Sequence, residues 1–205
     1  VKTRIGFDSP AVFEQLLPMF ARHRLDLLTV HGRTVREGYT SGVHYDSIAR
    51  AVREVPCPVL ANGNIYSSQK ARAVLDLTGA RGLMIGRAAI RNPWIFEHIR
   101  QQERGEAPTL PTGRDVLNYV YELHAAACDP HMAESSQVQR MKKYMNYLAL
   151  GVEPTGRFLH GIRRVVTRAD FFRLCEEFLN HDDPLPLHPF RLNLHAGDFL
   201  AGEQG

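Results

Sequence analysis

Four short apolar runs in this chain each end in side chains suited to holding an anion or hydrogen-bonding a ring. VKTRIGFD, from Val1, carries Lys2 and Arg4; LLTVHGRT, from Leu27, carries His31 and Arg33. VLANGNI, from Val59, ends on Asn62-Gly63-Asn64, and GLMIGRAA, from Gly82, contains Gly86-Arg87. Lys2 and Arg4 are two positions apart, so a strand points both to one side, where two cations need a ligand or a carboxylate. His31 sits where a strand gives way to a long loop, Gly32 to Val43, that also holds Arg33, Tyr39 and two more glycines. Binding groups concentrate on such loops. Glycines beside Asn62, Asn64 and Arg87 let backbone N–H groups approach an anion, and Arg87 offers a planar fork for a phosphate.

The elements that position these residues follow from the pattern. Near-continuous Val, Leu, Ile, Thr and Met runs alternating with amphipathic segments indicate parallel strands buried on both faces. After the first run, Ser9-Pro10 predicts a helix start, with Phe13, Leu16, Leu17 and Phe20 at i, i+3, i+4 and i+7. Asp46 to Glu54 carries Ile48, Ala49 and Val52 and stops before Pro56; Ser67 or Ser68 caps a third helix, which Gly79 follows. Asn92-Pro93 repeats the cap-plus-proline device before Trp94, Ile95, Phe96 and Ile99. Four β/α units result, in an α/β fold. A closed (β/α)8 barrel needs eight, and functional residues of such barrels gather at the strands' C-terminal ends, with a phosphate site after the last two strands. An open edge at the first strand leaves backbone groups that need a partner.

Residues 1–104 form this β/α region, and a polar linker from Gln102 to Thr112 ends it. Residues 112–180 read as a small all-α domain. Its apolar stripes are Val116, Val120 and Leu123; Met141, Tyr144, Met145 and Leu148; and Phe171, Leu174, Cys175 and Phe178. Thr167 with Asp170 predicts a capping box with Asp in place of Glu. Residues 181–205, with Pro184, Pro186 and Pro189, are expected to be irregular.

Charge is segregated more than the net +3 implies. Residues 134–173 hold eight Lys/Arg, among them Arg140, Lys143, Arg163 and Arg164, against three acids, whereas residues 174–205 hold one Arg and six acids. A basic helical face fits a polyanion such as RNA, because phosphate contacts supply most sequence-independent affinity; a solvated face partly neutralised by the acidic tail fits the count equally well. Cys57, Cys128 and Cys175 form no Cys-x-x-Cys pair, which argues against a zinc site or disulfide framework and fits a reducing cytoplasm. No apolar run reaches membrane-span length, so no membrane partner is expected. Val1 already lies inside a strand pattern, and the chain reads as the C-terminal part of something longer.

Taken together, VKTRIGFD, LTVHGRT with the following EGYTSG, PVLANGNI and GLMIGRAAIRNPWIFEHI resemble the FMN-dependent tRNA-dihydrouridine synthases over about the first half of the chain. The helical remainder resembles that family's C-terminal domain in layout and in QRMKKYMNYL. The resemblance implies the second half of a TIM (β/α)8 barrel followed by a helical, tRNA-binding domain. It implies that Lys2 and His31 contact the isoalloxazine of FMN and that Asn62, Gly63, Asn64, Gly86 and Arg87 hold its phosphate side. Arg33 and Tyr39 would lie near flavin or uridine, with Arg140, Lys143, Arg163 and Arg164 gripping tRNA. The reaction implied passes a hydride from reduced FMN to C6 of a uridine while a cysteine protonates C5, with NADPH as reductant. The uridine must leave the folded RNA to reach the flavin.

Two departures from the family stand out. Asn64 occupies a position where the family usually has Asp. The Asn-x-Gly-Cys-Pro segment that carries the family's proton donor is missing, and none of the three cysteines has that context, so no catalytic residue is expected in this chain and the donor is expected upstream, in the missing first half of the barrel. Another FMN barrel oxidoreductase, or a non-catalytic RNA-binding fragment, remain the alternative readings.

Overall fold

The computed structural model describes residues 1–39 and 41–189. By its internal contacts the chain divides into two compact units, the first comprising Val1–Gly86 and the second beginning at Arg87. The sequence places its change of character later, in the polar stretch 102–112. Beyond residue 189 the expected irregular tail lies outside the described residues.

In the first unit, strands β1 (Lys2–Arg4), β2 (Leu28–His31), β3 (Val59–Asn62) and β4 (Gly82–Met84) form one parallel sheet in the order β1-β2-β3-β4. Helices α1 (Ala11–Arg22), α2 (Tyr45–Glu54) and α3 (Ser68–Thr78) make the crossovers that parallel pairing demands. Register aligns Arg4 with His31, His31 with Asn62 and Asn62 with Met84. Since side chains alternate, Lys2, Arg4, Thr29, His31, Leu60, Asn62 and Met84 share one face. Leu28, Val30, Val59 and Ala61 occupy the other, and all four are buried. Ile48 and Ala51 of α2 and Ala71 and Val74 of α3 complete that apolar layer.

The helix stripes fall where periodicity put them. Phe13 and Leu17 of α1 are buried, with Leu16 and Phe20 half-buried beside them. Its start differs from the expectation: Pro10 is the cap position, which supplies no side-chain hydrogen bond, and its carbonyl accepts from the N–H groups of Phe13 and Glu14. For α3 the Ser67 hydroxyl accepts from the Lys70 N–H, and Gly79 ends the helix at φ 67.

The second unit contains α4 (Arg87–Arg91), α5 (Ile95–Glu103), α6 (Gly113–Ala127), α7 (Glu134–Leu148), α8 (Arg157–Arg164) and α9 (Arg168–Leu179). Arg87, expected in a loop at a strand end, is instead the first residue of the short helix α4. The Asn92 side chain does not cap α5; its Nδ2 lies 3.5 Å from His98 Nδ1. The core gathers the stripes read from sequence, Val116 and Val120, Met141, Met145 and Leu148, and Phe171 and Cys175, and adds Phe158 and Ile162 from α8. Leu185 and Leu187 also enter it, so the described part of the irregular tail is packed rather than loose.

Helix capping is strongest at an unexpected place. Thr112 and Asp115 form a reciprocal capping box at the start of α6: the Thr112 Oγ accepts from the Asp115 N–H at 3.2 Å, and Asp115 Oδ2 accepts from the Thr112 N–H at 2.8 Å. The first-turn N–H groups of Gly113 and Arg114 donate to the carbonyls of Asp183 and His181. At α9 the expected box is half made, since Thr167 accepts from the Asp170 N–H while Asp170 receives the threonine hydroxyl. Backbone and then hydroxyl donation from Thr112 hold the Asp115 carboxyl below its usual range. Such a group contributes stability above the ordinary aspartate range and loses it as pH falls through the lowered value. We expect Thr112→Ala to destabilise the chain by about 1 kcal/mol at neutral pH, with the gap to the unsubstituted chain shrinking in acid, as read from urea midpoints across pH.

Candidate functional site

The polar ends of β1, β2 and β3 come together on the face that carries Lys2, Arg4, His31 and Asn62. Lys2 is exposed, whereas His31 is buried in its strand. Asn62 donates from Nδ2 to the Met84 carbonyl at 2.7 Å, which fixes its amide against the end of β4. Arg4 meets no carboxylate among its described hydrogen bonds: Nη1 donates to the Thr34 carbonyl at 2.6 Å and lies 3.5 Å from that of Gly38. The guanidinium also stands 5.5 Å from the centre of the Tyr39 ring, and the His31 ring is 6.2 Å from the same ring. Tyr39 is 51% exposed, so the loop after β2 presents an aromatic face beside two nitrogen-bearing side chains.

Arg33 lies elsewhere than expected for a ligand contact. It is 0% exposed, Nε and Nη2 donate to the Ser41 carbonyl, and Nη1 donates to Asn64 Oδ1 at 3.0 Å. The family resemblance puts Arg33 near flavin or uridine; in the structure the loop after β2 folds back over its guanidinium. Asn64, the departure from the family's usual Asp, keeps an acceptor oxygen toward Arg33 while lacking the charge.

The turn after β3 is held from several sides. Asn64 stands at φ 47 and Gly63 at φ 137. Tyr45 donates its hydroxyl to the Gly63 carbonyl at 2.9 Å, and the Gly32 N–H donates to the Asn62 carbonyl at 3.2 Å. A Cβ on Gly63 would lie 2.9 Å from a Val43 methyl and 3.5 Å from His31 Cδ2, so packing as well as conformation requires glycine there. Gly86 is different: nothing among the described residues lies within 4 Å of the place a Cβ would take.

A second small network braces the loop between β2 and α2. The Thr34 N–H donates to Glu37 Oε2 at 2.7 Å, the Glu37 N–H donates to Thr34 Oγ at 3.2 Å, and His44 Nε2 lies 2.6 Å from Glu37 Oε1. Burial alone would raise the Glu37 carboxyl; hydrogen bonds from His44 and Thr34 outweigh it and hold the group below its usual range. None of these three residues stands out in the sequence; the spacing of Thr34 and Glu37, three apart as in a capping box, is the one signal that could have found them.

In the helical unit, the basic residues are partly committed within the fold. Arg140 Nη1 donates at 2.7 Å to the carbonyl of Ala127, the last residue of α6, and Lys142 Nζ donates at 3.0 Å to that of Arg163, near the end of α8. Both place positive charge at a helix C-terminus, where the dipole favours it. Arg163 Nε donates to Asn146 Oδ1 at 3.1 Å, Arg164 pairs with His160, and Lys143 is exposed.

Two of the three cysteines are buried in the helical core. Cys175 lies in the helical core, where burial pushes its thiol up to about 12, and burial also raises that of Cys128. Cys57 is half-buried, and all three are free thiols. Among the described residues, no group of three or more His, Cys, Asp or Glu side chains is placed to hold a metal, and no helix is long and apolar enough to cross a membrane.

A family model for dihydrouridine synthase matches residues 1–181. The chain belongs to the dihydrouridine synthase family. Among individual relatives, tRNA-dihydrouridine synthase B of Serratia marcescens is 46% identical over 105 residues, covering 49% of this chain and 31% of that protein. Its Pseudomonas putida counterpart is 40% identical over 134 residues, 65% of this chain and 39% of the relative. A probable tRNA-dihydrouridine synthase of Rickettsia bellii is 31% identical over 160 residues, 77% of this chain and 49% of the relative. The chain thus spans between about a third and a half of the length of the curated relatives it matches. For this dihydrouridine synthase family member, the parallel sheet accords with a barrel-type fold.

The glycine at the β3 turn gives a direct check on this geometry. Gly63→Ala is expected to destabilise the chain by about 3 kcal/mol, from an almost glycine-only conformation and the Val43 contact. Gly38→Ala, at φ 58 with no described residue within 4 Å of its Cβ position, should cost about 1 kcal/mol for conformation alone. Urea denaturation of both variants reads the difference.

Proposed function

We propose that this chain supplies four β/α units and the helical domain of a tRNA-dihydrouridine synthase, an FMN-dependent enzyme that reduces the C5=C6 bond of a uridine in tRNA with NADPH as reductant. One observation carries the reading: in-register strands put Lys2, His31 and Asn62 on one face, in a chain whose family match runs from residue 1 to 181. The remaining strands of the barrel would come from sequence outside the chain, since four strands cannot close one and the relatives are two to three times as long as the stretch they share with it.

The residues present fit FMN. Lys2 offers an exposed ammonium that can balance negative charge on the flavin ring, and His31 a ring nitrogen on the same face. The Gly86 backbone, with nothing among the described residues at its Cβ position, suits close approach by a phosphate, and the Asn62–Asn64 turn is held from several sides for the same task. Arg87 would add its fork to the phosphate. When bound, FMN supplies the hydride. The chain's residues bind and orient: Tyr39, exposed between Arg4 and His31, provides a surface against which a flipped base can stack. The proton for C5 would come from a cysteine outside this chain, since Cys57 precedes β3 at the end opposite Asn62 and Cys128 and Cys175 are buried core residues.

Arg140, Lys143, Arg163 and Arg164 would dock tRNA through its phosphates, in the cytoplasm where tRNA is processed, with no membrane involved. Their affinity should then fall steeply with salt.

The test uses tRNA lacking dihydrouridine, NADPH and the protein that contains this chain. Dihydrouridine should form, and His31→Ala or Arg87→Ala should lower bound flavin at least about tenfold, as one lost charge-assisted contact would. The isolated chain should bind FMN weakly and show no synthase activity. Stoichiometric, tight FMN binding by that chain, or unchanged flavin content in both variants, would reject this assignment.

A further inference from the structure

Resting on the reading of Asn62–Asn64 as the phosphate-side turn of FMN, we propose that Arg33 is a positioning residue for that turn and not a contact to the substrate. The guanidinium is fully buried and acts in two directions: Nε and Nη2 hold the Ser41 carbonyl, and Nη1 holds Asn64 Oδ1. One planar fork thereby ties the loop after β2 to the turn after β3. Lysine cannot reproduce this, because a single ammonium lacks the fixed divergence of a guanidinium.

The surroundings make the tie consequential. Each residue of the turn takes a hydrogen bond from the segment that runs from the end of β2 into α2: Asn62 O from Gly32, Gly63 O from Tyr45 and Asn64 Oδ1 from Arg33. Because a peptide unit is planar, holding the two backbone carbonyls also fixes the N–H groups of Gly63 and Asn64. The unit after Asn64, with the Ile65 N–H, instead follows the backbone angles of Asn64, whose φ is 47. Asn64, in the left-handed region, is held there through its side chain by Arg33. Releasing that side chain frees Asn64 to relax, which turns the peptide unit after it and so the Ile65 N–H at the end of the turn a phosphate would use. Ser41 moves with it, so the loop bearing Tyr39 and the turn bearing Asn64 respond as one body.

Hydrogen exchange of residues 33–44 and 62–66, followed by mass spectrometry on the full chain, tests this without any ligand. Arg33→Lys and Asn64→Ala should each speed exchange in both segments by about tenfold, and the double variant should be no faster than the faster single variant, as expected for one shared interaction. Asn64 is half-buried, so its variant tests the tie even where Arg33→Lys folds poorly. Acceleration confined to the substituted segment, or additive effects, would overturn the proposal. Flavin fluorescence then separates positioning from general weakening: affinity for FMN should fall about tenfold in both variants while affinity for riboflavin, which lacks the phosphate, stays constant. Equal losses for the two flavins, or a raised KM for tRNA with FMN affinity unchanged, would also overturn it. The flavin titrations use the protein that contains this chain; if that protein, unsubstituted, binds neither flavin, the functional reading fails while the exchange result still decides the tie.

Discussion

Parallel pairing of β1 to β4 in fixed register is the constraint on which the first unit depends. Backbone hydrogen bonds align Arg4, His31, Asn62 and Met84 across the sheet, and alternation sends Leu28, Val30, Val59 and Ala61 to the opposite side. Slipping one strand by a residue would exchange its faces, burying polar ends and exposing apolar side chains. Hydrophobic burial under α2 and α3 therefore enforces the same register that collects the polar groups. Core and site are two sides of one pairing.

Burying a guanidinium is costly unless its donors are used. Arg33 uses Nε and both Nη groups inside the fold, and Arg4 spends Nη1 on the carbonyls of the same loop. The loop from Gly32 to His44 is thus folded around cations rather than around an apolar plug. Thr34, Glu37 and His44 add a second closed set of bonds. A loop satisfied this way is held in one arrangement, which suits groups that must keep their positions for a ligand.

In the helical unit the same chemistry serves another purpose. Arg140 and Lys142, two positions apart and so on opposite sides of α7, each supply charge to the C-terminal carbonyls of another helix, while the tail and the Thr112–Asp115 box satisfy the opposite end of α6. Charge counted along the sequence therefore overstates the cations left for docking a polyanion. Lys143, Arg157 and Arg168 are exposed beside them, and Arg140, Arg163 and Arg164 keep exposed guanidinium groups.

Much of this was readable from residue order. Strand runs, helix stripes, the Ser67 cap and the Gly79 stop are local, set by periodicities of two and 3.6 and by backbone preferences of single residues, and they appear where those preferences place them. The family motifs likewise belong to contiguous segments. Tertiary structure alone decided where Arg33 points, because its partners Ser41 and Asn64 are separated from it by 8 and 31 positions and no local rule links them. It also decided that Gly63 is required by Val43 and that Leu185 and Leu187 belong to the helical core. Hydrogen bonds and packing between distant segments depend on how loops close, and loop closure is not written in any short stretch of sequence.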